Sequence, residues 1–224
     1  MSYGSAKKGI GQIFTAEILQ LLSAIFILIG SVMAVVGVAA VVGGGMLESD
    51  VAVGGGVVGG IAGLALSGLG GIFSLVGFIL YIVGVGNAAK DEESFKKAML
   101  FLVVGLVCSV VSAFTGTVAN GILKDILTIL GDVFQLISAI YVINGIISLA
   151  GKVGNAAIEH KGRHTLKTLV IVIVISIVAT LISLITSTVA AVIAGILGIV
   201  VAVMSIIKYF IYLSLLNGAR KMFD

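Results

Sequence analysis

Proline and tryptophan are absent from this chain of 224 residues, and Cys108 is its single cysteine. Without proline no span is kinked by a missing backbone donor, although glycine still permits bends. One cysteine excludes an intrachain disulfide and cannot alone supply a cysteine-based metal site. Charge is scarce too: charged residues make up 10% of the chain, against about 25% in a soluble domain. This scarcity excludes a disordered chain and an ordinary soluble enzyme. The net charge of +3 is dispersed, with no basic stripe carrying interleaved aromatics, so nucleic acid is not an expected partner.

What fills the chain is apolar. Apolar residues make up 60% of it, 31 residues are glycine, and the mean hydropathy is +1.31. Lipid cannot satisfy free backbone groups, so apolar spans are helices or a closed barrel. Barrel strands alternate apolar and polar, whereas Leu169 to Ile175 is apolar at every position. The expected fold is therefore an all-α, polytopic integral membrane helical bundle, a single transmembrane domain over 1–224. About six transmembrane helices are expected, near 13–43, 57–88, 98–119, 131–151, 168–187 and 190–216. The first is too long for the apolar segment of a cleaved secretory signal, about 7–15 residues, and is expected to stay in place.

Charge in the connecting segments assigns an orientation. Lys7 and Lys8 precede the first span, and Lys90, Lys96 and Lys97 follow the second. Lys152, Lys161, Arg163 and Lys167 follow the fourth, and Arg220 and Lys221 follow the sixth. Outside the spans only Lys124 falls on the opposite side. An excess of Lys and Arg marks the cytoplasmic face, so both termini are expected in the cytoplasm of a cell membrane protein.

Internal similarity suggests repetition. Even-numbered spans end on Val85–Ala89, Val153–Ala157 and Leu216–Arg220. Odd-numbered spans begin on Ser5–Lys8, Ser94–Lys97 and Thr165–Thr168. A threefold helical-hairpin repeat accounts for these segments. A second similarity, Glu17–Ile25 with Asp132–Ile140, instead suggests inverted triplets of the kind transporters use.

The candidate residues are few. Gly55, Gly59 and Gly63, with Gly56 and Gly60, recur four apart on one helix face and are read as packing positions. Glu17, Gln20, Asp132, Gln135, Asn144 and Lys208 are the candidate intramembrane polar residues. Glu17 and Asp132 are expected near helix starts, where the helix dipole favours a carboxylate. Lys208 has a stem long enough to reach the interface. His160 and His164 flank a basic segment and are assigned to a basic belt facing anionic lipid. Ser176, Thr180, Ser183 and Thr186 form a polar edge of the fifth span. No catalytic constellation, cofactor loop or metal set is legible. The expected function is a non-enzymatic multi-pass membrane protein, an oligomerising scaffold or partner-binding component, whose partners are the bilayer and a homo-oligomer or membrane protein. The alternative is a small channel or transporter with inverted repeats.

Overall fold

The computed structural model describes residues 3–46, 50–115, 121–183 and 188–223. Side chains at 42–46, 50–55, 115, 121, 122, 124, 125, 128, 173, 176–183, 188–199, 201, 202 and 205 lie outside that description, as does the span-five set Ser176, Thr180, Ser183 and Thr186. The described residues form an all-helical protein: α1 (Gly4–Met46), α2 (Asp50–Ala88), α3 (Glu93–Thr115), α4 (Gly121–Val153), α5 (Ala156–Ser183) and α6 (Thr188–Lys221). Among them, four helices are long and apolar enough to cross a membrane, over Gly4–Val41, Gly56–Ala88, Glu93–Phe114 and Ile129–Val153. The fifth and sixth expected spans fall on α5 and α6, where 184–187 and many side chains lie outside the described residues.

The helices are dressed for lipid. Leu28, Val35, Val58 and Leu64 are each more than three-fifths exposed, on α1 and α2 segments with no charged residue between Gln20 and Val41 or between Gly56 and Tyr81. Apolar surface of that extent is unfavourable in water and neutral against acyl chains. With no hydrophobic drive between helices in lipid, close backbone approach has to do the holding.

The chain divides into two compact units. The first to be considered is 12–83, the greater part of α1 and α2, packed antiparallel through small residues. A Cβ added at Gly30 would stand 2.5 Å from the Gly63 carbonyl oxygen, and one at Gly37 would stand 2.6 Å from that of Gly56. Ser23 Oγ donates to the Gly70 carbonyl at 2.7 Å, and Gly77 faces the Ala16 carbonyl. The contact positions are Ala16, Ser23, Gly30 and Gly37 on one helix and Gly56, Gly63, Gly70 and Gly77 on the other. Each set is spaced by seven. Seven residues make just under two turns, so a sustained period of seven keeps one seam facing its partner only if the pair winds left-handed. Phe26 and Phe73 stack beside the seam, ring centroids 5.6 Å apart.

The seam thus follows a spacing of seven, not the four expected from the glycine pattern. Gly56 and Gly63 lie in it. Gly60 also meets α1, its backbone N standing 2.5 Å from the Cβ position of Gly37, although a Cβ on Gly60 itself would meet nothing within 4 Å; Gly59 only grazes Gly37 at 3.8 Å, and Gly55 lies outside the described side chains. Gly68 and Gly71 also face open space.

The second unit holds 1–11 and 84–224. Here Gly9 meets the Gly84 carbonyl and Ala88. α3 and α4 pair antiparallel through a second small-residue seam. Gly105 faces the Gly131 carbonyl at 3.1 Å from its would-be Cβ, and Ser138 Oγ donates to the Ala98 carbonyl at 2.8 Å. Phe95, fully buried, fills the notch at Gly145, while Phe101 stacks on Phe134 and Tyr141. Ile147 of α4 covers Gly162 of α5, and Ile158 of α5 covers Gly218 of α6. The core of this unit includes Ile10, Val85, Ile143, Ile146, Leu149 and Leu216.

Gly63→Ala is expected to destabilise the α1–α2 pair by about 1–3 kcal/mol, because the added methyl meets backbone that cannot move aside. Gly11→Ala, where the added methyl meets nothing within 4 Å, is expected to stabilise by about 0.5–1 kcal/mol through helix propensity. Unfolding titrations of the detergent-solubilised variants measure both signs.

Candidate functional site

The densest polar arrangement lies in the second unit, where the first residues of α1, the turn between α2 and α3, and the last turn of α4 come together. α2 ends at Ala88, and the next polar residues are Lys90, Asp91 and Glu92. The Asp91 carboxylate accepts the backbone N–H of Ala6 at 2.7 Å. Ala6 is in the first turn of α1, whose N–H groups have no partner within their own helix. Asp91 therefore caps a helix to which it is not joined locally, and its charge sits at the positive end of that dipole.

Glu92 is 8% exposed. Its Oε2 accepts from Lys152 Nζ at 2.5 Å, and Ser94 Oγ approaches its Oε1 at 3.4 Å. Burial pushes the Glu92 pKa up, but hydrogen bonds from Lys152 and Ser148 and the lysine charge outweigh it, leaving the group below the ordinary value of 4.5. The carboxylate is thus ionised and engaged. It acts as a clasp between the α2–α3 turn and α4.

The remaining joints of this unit are built similarly. α4 closes with Gly154 at φ 75°. The Asn155 N–H reaches back to the Ala150 carbonyl and the Gly154 N–H to that of Gly151, a six-to-one and five-to-two pair that satisfies the last carbonyls. Asn155 then caps α5 by accepting the Ile158 N–H through its side chain at 3.1 Å. Lys161 Nζ donates to the Ser214 carbonyl and hydroxyl of α6. The Tyr3 ring lies 6.2 Å from that of Phe223, joining the two ends of the chain.

The polar residues expected from the sequence are dispersed. Glu17 is buried, Gln20 half-buried, Asp132 and Gln135 exposed, and Asn144 and Lys208 half-buried. The dipole reading of Glu17 and Asp132 does not fit. α1 begins at Gly4 and α4 at Gly121, so both acids stand about three turns inside their helices, and the dipole effect falls off within the first turn. The lysines at 7 and 8 do not delay helix formation, which is why α1 starts well before its apolar run. Sequence reasoning passed over Asp91, Glu92 and Lys152 as loop charges. The signal was present: a run of three acids, Asp91 to Glu93, among segments otherwise rich in lysine. Among the described residues no group of three or more His, Cys, Asp or Glu could hold a metal ion.

Glu92→Gln is expected to cost about 1–2 kcal/mol, since a charge-assisted hydrogen bond is lost and Lys152 is half in solvent. The sign of its pH dependence follows from the lowered pKa. Wild-type stability from this pair is complete above 4.5 and is lost as pH falls through the lowered folded-state value. Acid unfolding of wild type and Glu92→Gln, compared at neutral and low pH, should show the difference between them shrinking as pH falls.

No protein-family model, curated protein or solved structure matches this chain.

Proposed function

We propose that this chain is a non-enzymatic multi-pass protein of the cell membrane, with both termini cytoplasmic, acting as an oligomerising scaffold or partner-binding component. The observation that carries this reading is how its buried polar groups are used. Ser23 and Ser138 donate to carbonyls of the neighbouring helix, and Glu92 is held by Lys152. These groups bind helix to helix, which leaves them unavailable to turn over a substrate. The Tyr3–Phe223 contact supports termini on one side, and the distribution of Lys and Arg supports that side being cytoplasmic.

The hairpin repeat is the better account of the internal similarity. Aligning Ser5–Lys8 with Ser94–Lys97 superposes Gly9, Ala16 and Ser23 on Ala98, Gly105 and Ser112, which are seam or buried positions in both α1 and α3. Aligning Val85–Ala89 with Val153–Ala157 superposes Gly63, Gly70 and Gly77 on Gly131, Ser138 and Gly145 of α4. In α5 the position matching Gly9 is Leu169, buried though large, whereas in α6 the position matching Gly77 and Gly145 is the half-buried Lys208. Inverted triplets fare worse. They equate α1 with α4 and α2 with α5, yet Ser23 bonds α2 while Ser138 bonds α3. Glu17 and Asp132 also differ in burial.

The surface offered to a second copy or partner is the outward side of α2 bearing Gly68 and Gly71, which the hairpin does not use. Mass measurement in detergent is expected to give one defined oligomer, reduced to monomer by Gly68→Leu with Gly71→Leu. Cysteine introduced at Asn144 in a Cys108→Ala background should resist water-soluble thiol reagents. A monomeric wild type with a reactive Asn144→Cys would instead support a channel or transporter.

A further inference from the structure

One charged cleft is left unused by the packing described above. It has a volume of about 340 Å³ and is lined by His160, Arg163, His164, Leu166 and Lys167. The four polar residues stand at i, i+3, i+4 and i+7 of α5 and so share one face. All four are exposed, and Leu166 is half-buried. The opposite face is spoken for: Gly162 is covered by Ile147, Thr165 is buried, and Lys161 is bonded to Ser214. α5 is therefore held so that its cationic and imidazole groups point away from the bundle. Glu159 pairs with Arg163, its Oε1 accepting from Nη2 at 2.7 Å and Nε at 3.2 Å. It positions the guanidinium without lining the cleft.

Depth identifies the ligand. The unbroken apolar run of α5 starts at Leu169. The headgroup layer of one leaflet is about 5–8 Å thick, half the difference between the whole bilayer and its hydrocarbon core. At about 1.5 Å per residue, Lys167 lies about 3 Å, His164 about 8 Å and Arg163 about 9 Å outside that boundary, and His160, about 14 Å outside, stands beyond the layer. Cations at this depth meet lipid phosphates. Leu166 adds an apolar wall that a free phosphate ion would not use.

We propose that this cleft is a binding site for the phosphate of an anionic phospholipid headgroup, with Arg163 and Lys167 supplying charge and His164 supplying a hydrogen-bond donor. The site rests on the membrane-crossing reading of the chain. That reading fails separately, and visibly, if the purified protein stays soluble without detergent.

The test uses the full chain in detergent, with retained lipid counted by native mass spectrometry. Phosphatidylglycerol and phosphatidylcholine are the probes, and inorganic phosphate is the competitor. Wild type should retain phosphatidylglycerol in preference to phosphatidylcholine. Arg163→Gln with Lys167→Gln should weaken that retention about twenty-five-fold, the effect of two cations at about a factor of five each. Lys96→Gln with Lys97→Gln, the same charge removed from α3, should leave it unchanged. His164→Glu, which puts a carboxylate into the cleft, should repeat the loss should the double variant fail to keep its helical circular dichroism. Equal losses in the α3 control would overturn the site in favour of diffuse surface charge. Displacement of the lipid by inorganic phosphate would overturn its assignment to lipid.

Discussion

The structure depends on one constraint: in lipid, helices gain nothing by hiding apolar side chains from each other, so they must be held by close backbone approach. A small residue at every seventh position meets that constraint along α1 and α2. Where a Cβ would fall 2.5 Å from a carbonyl oxygen, only glycine fits. Where serine replaces it, as at Ser23 and Ser138, the hydroxyl reaches across to a carbonyl of the neighbouring helix. The remaining faces are left to large aliphatic side chains, which suit acyl chains and would be costly in water. The protein is small inside its pairs and bulky outside, the reverse of a soluble bundle.

The second unit adds a different kind of cohesion. Its joints are polar: Asp91 on the first turn of α1, Lys152 on Glu92, Lys161 on Ser214, and Asn155 at the meeting of α4 and α5. Asp91 and Asn155 satisfy helix-end N–H groups, Lys152 pairs the charge of Glu92, and Lys161 ties α5 to α6. Such contacts belong where the chain leaves the hydrocarbon, since a pair of this kind deeper in would bear the full desolvation cost. The Asp91 and Glu92–Lys152 contacts accordingly sit at helix ends, while the seams are set by small residues within the helices.

Much of this was legible in the sequence. The all-helical membrane fold follows from composition and unbroken apolar runs. The period-seven seam was legible in principle, since Gly9, Ala16, Ser23, Gly30 and Gly37 stand in the sequence as plainly as the glycines four apart. With 31 glycines, however, several spacings coexist, and only the partner helix decides between Gly63 and Gly60. Helix starts were less legible. The dipole reading of Glu17 took the start of the apolar run for the start of the helix, but backbone hydrogen bonding continues through Lys7 and Lys8 to Gly4. Identical segments also differ. Val85–Ala88 is helical throughout, whereas Gly154 in Val153–Ala157 turns left-handed and ends α4. The surroundings decide it: Asn155 finds an α5 N–H group to cap, while Asn87 is followed by acids engaged with α1 and α4.

The most direct measurement of the central claim is cross-linking along the first seam. In a Cys108→Ala background, Ser23→Cys with Gly70→Cys should oxidise in membranes to an intrachain disulfide, because a bond of that kind needs Cα atoms within about 7 Å. Ser23→Cys with Gly71→Cys, one residue further and about 100° around the helix, should not. Cross-linking of both pairs alike, or of the second alone, would contradict a seam set by every seventh residue.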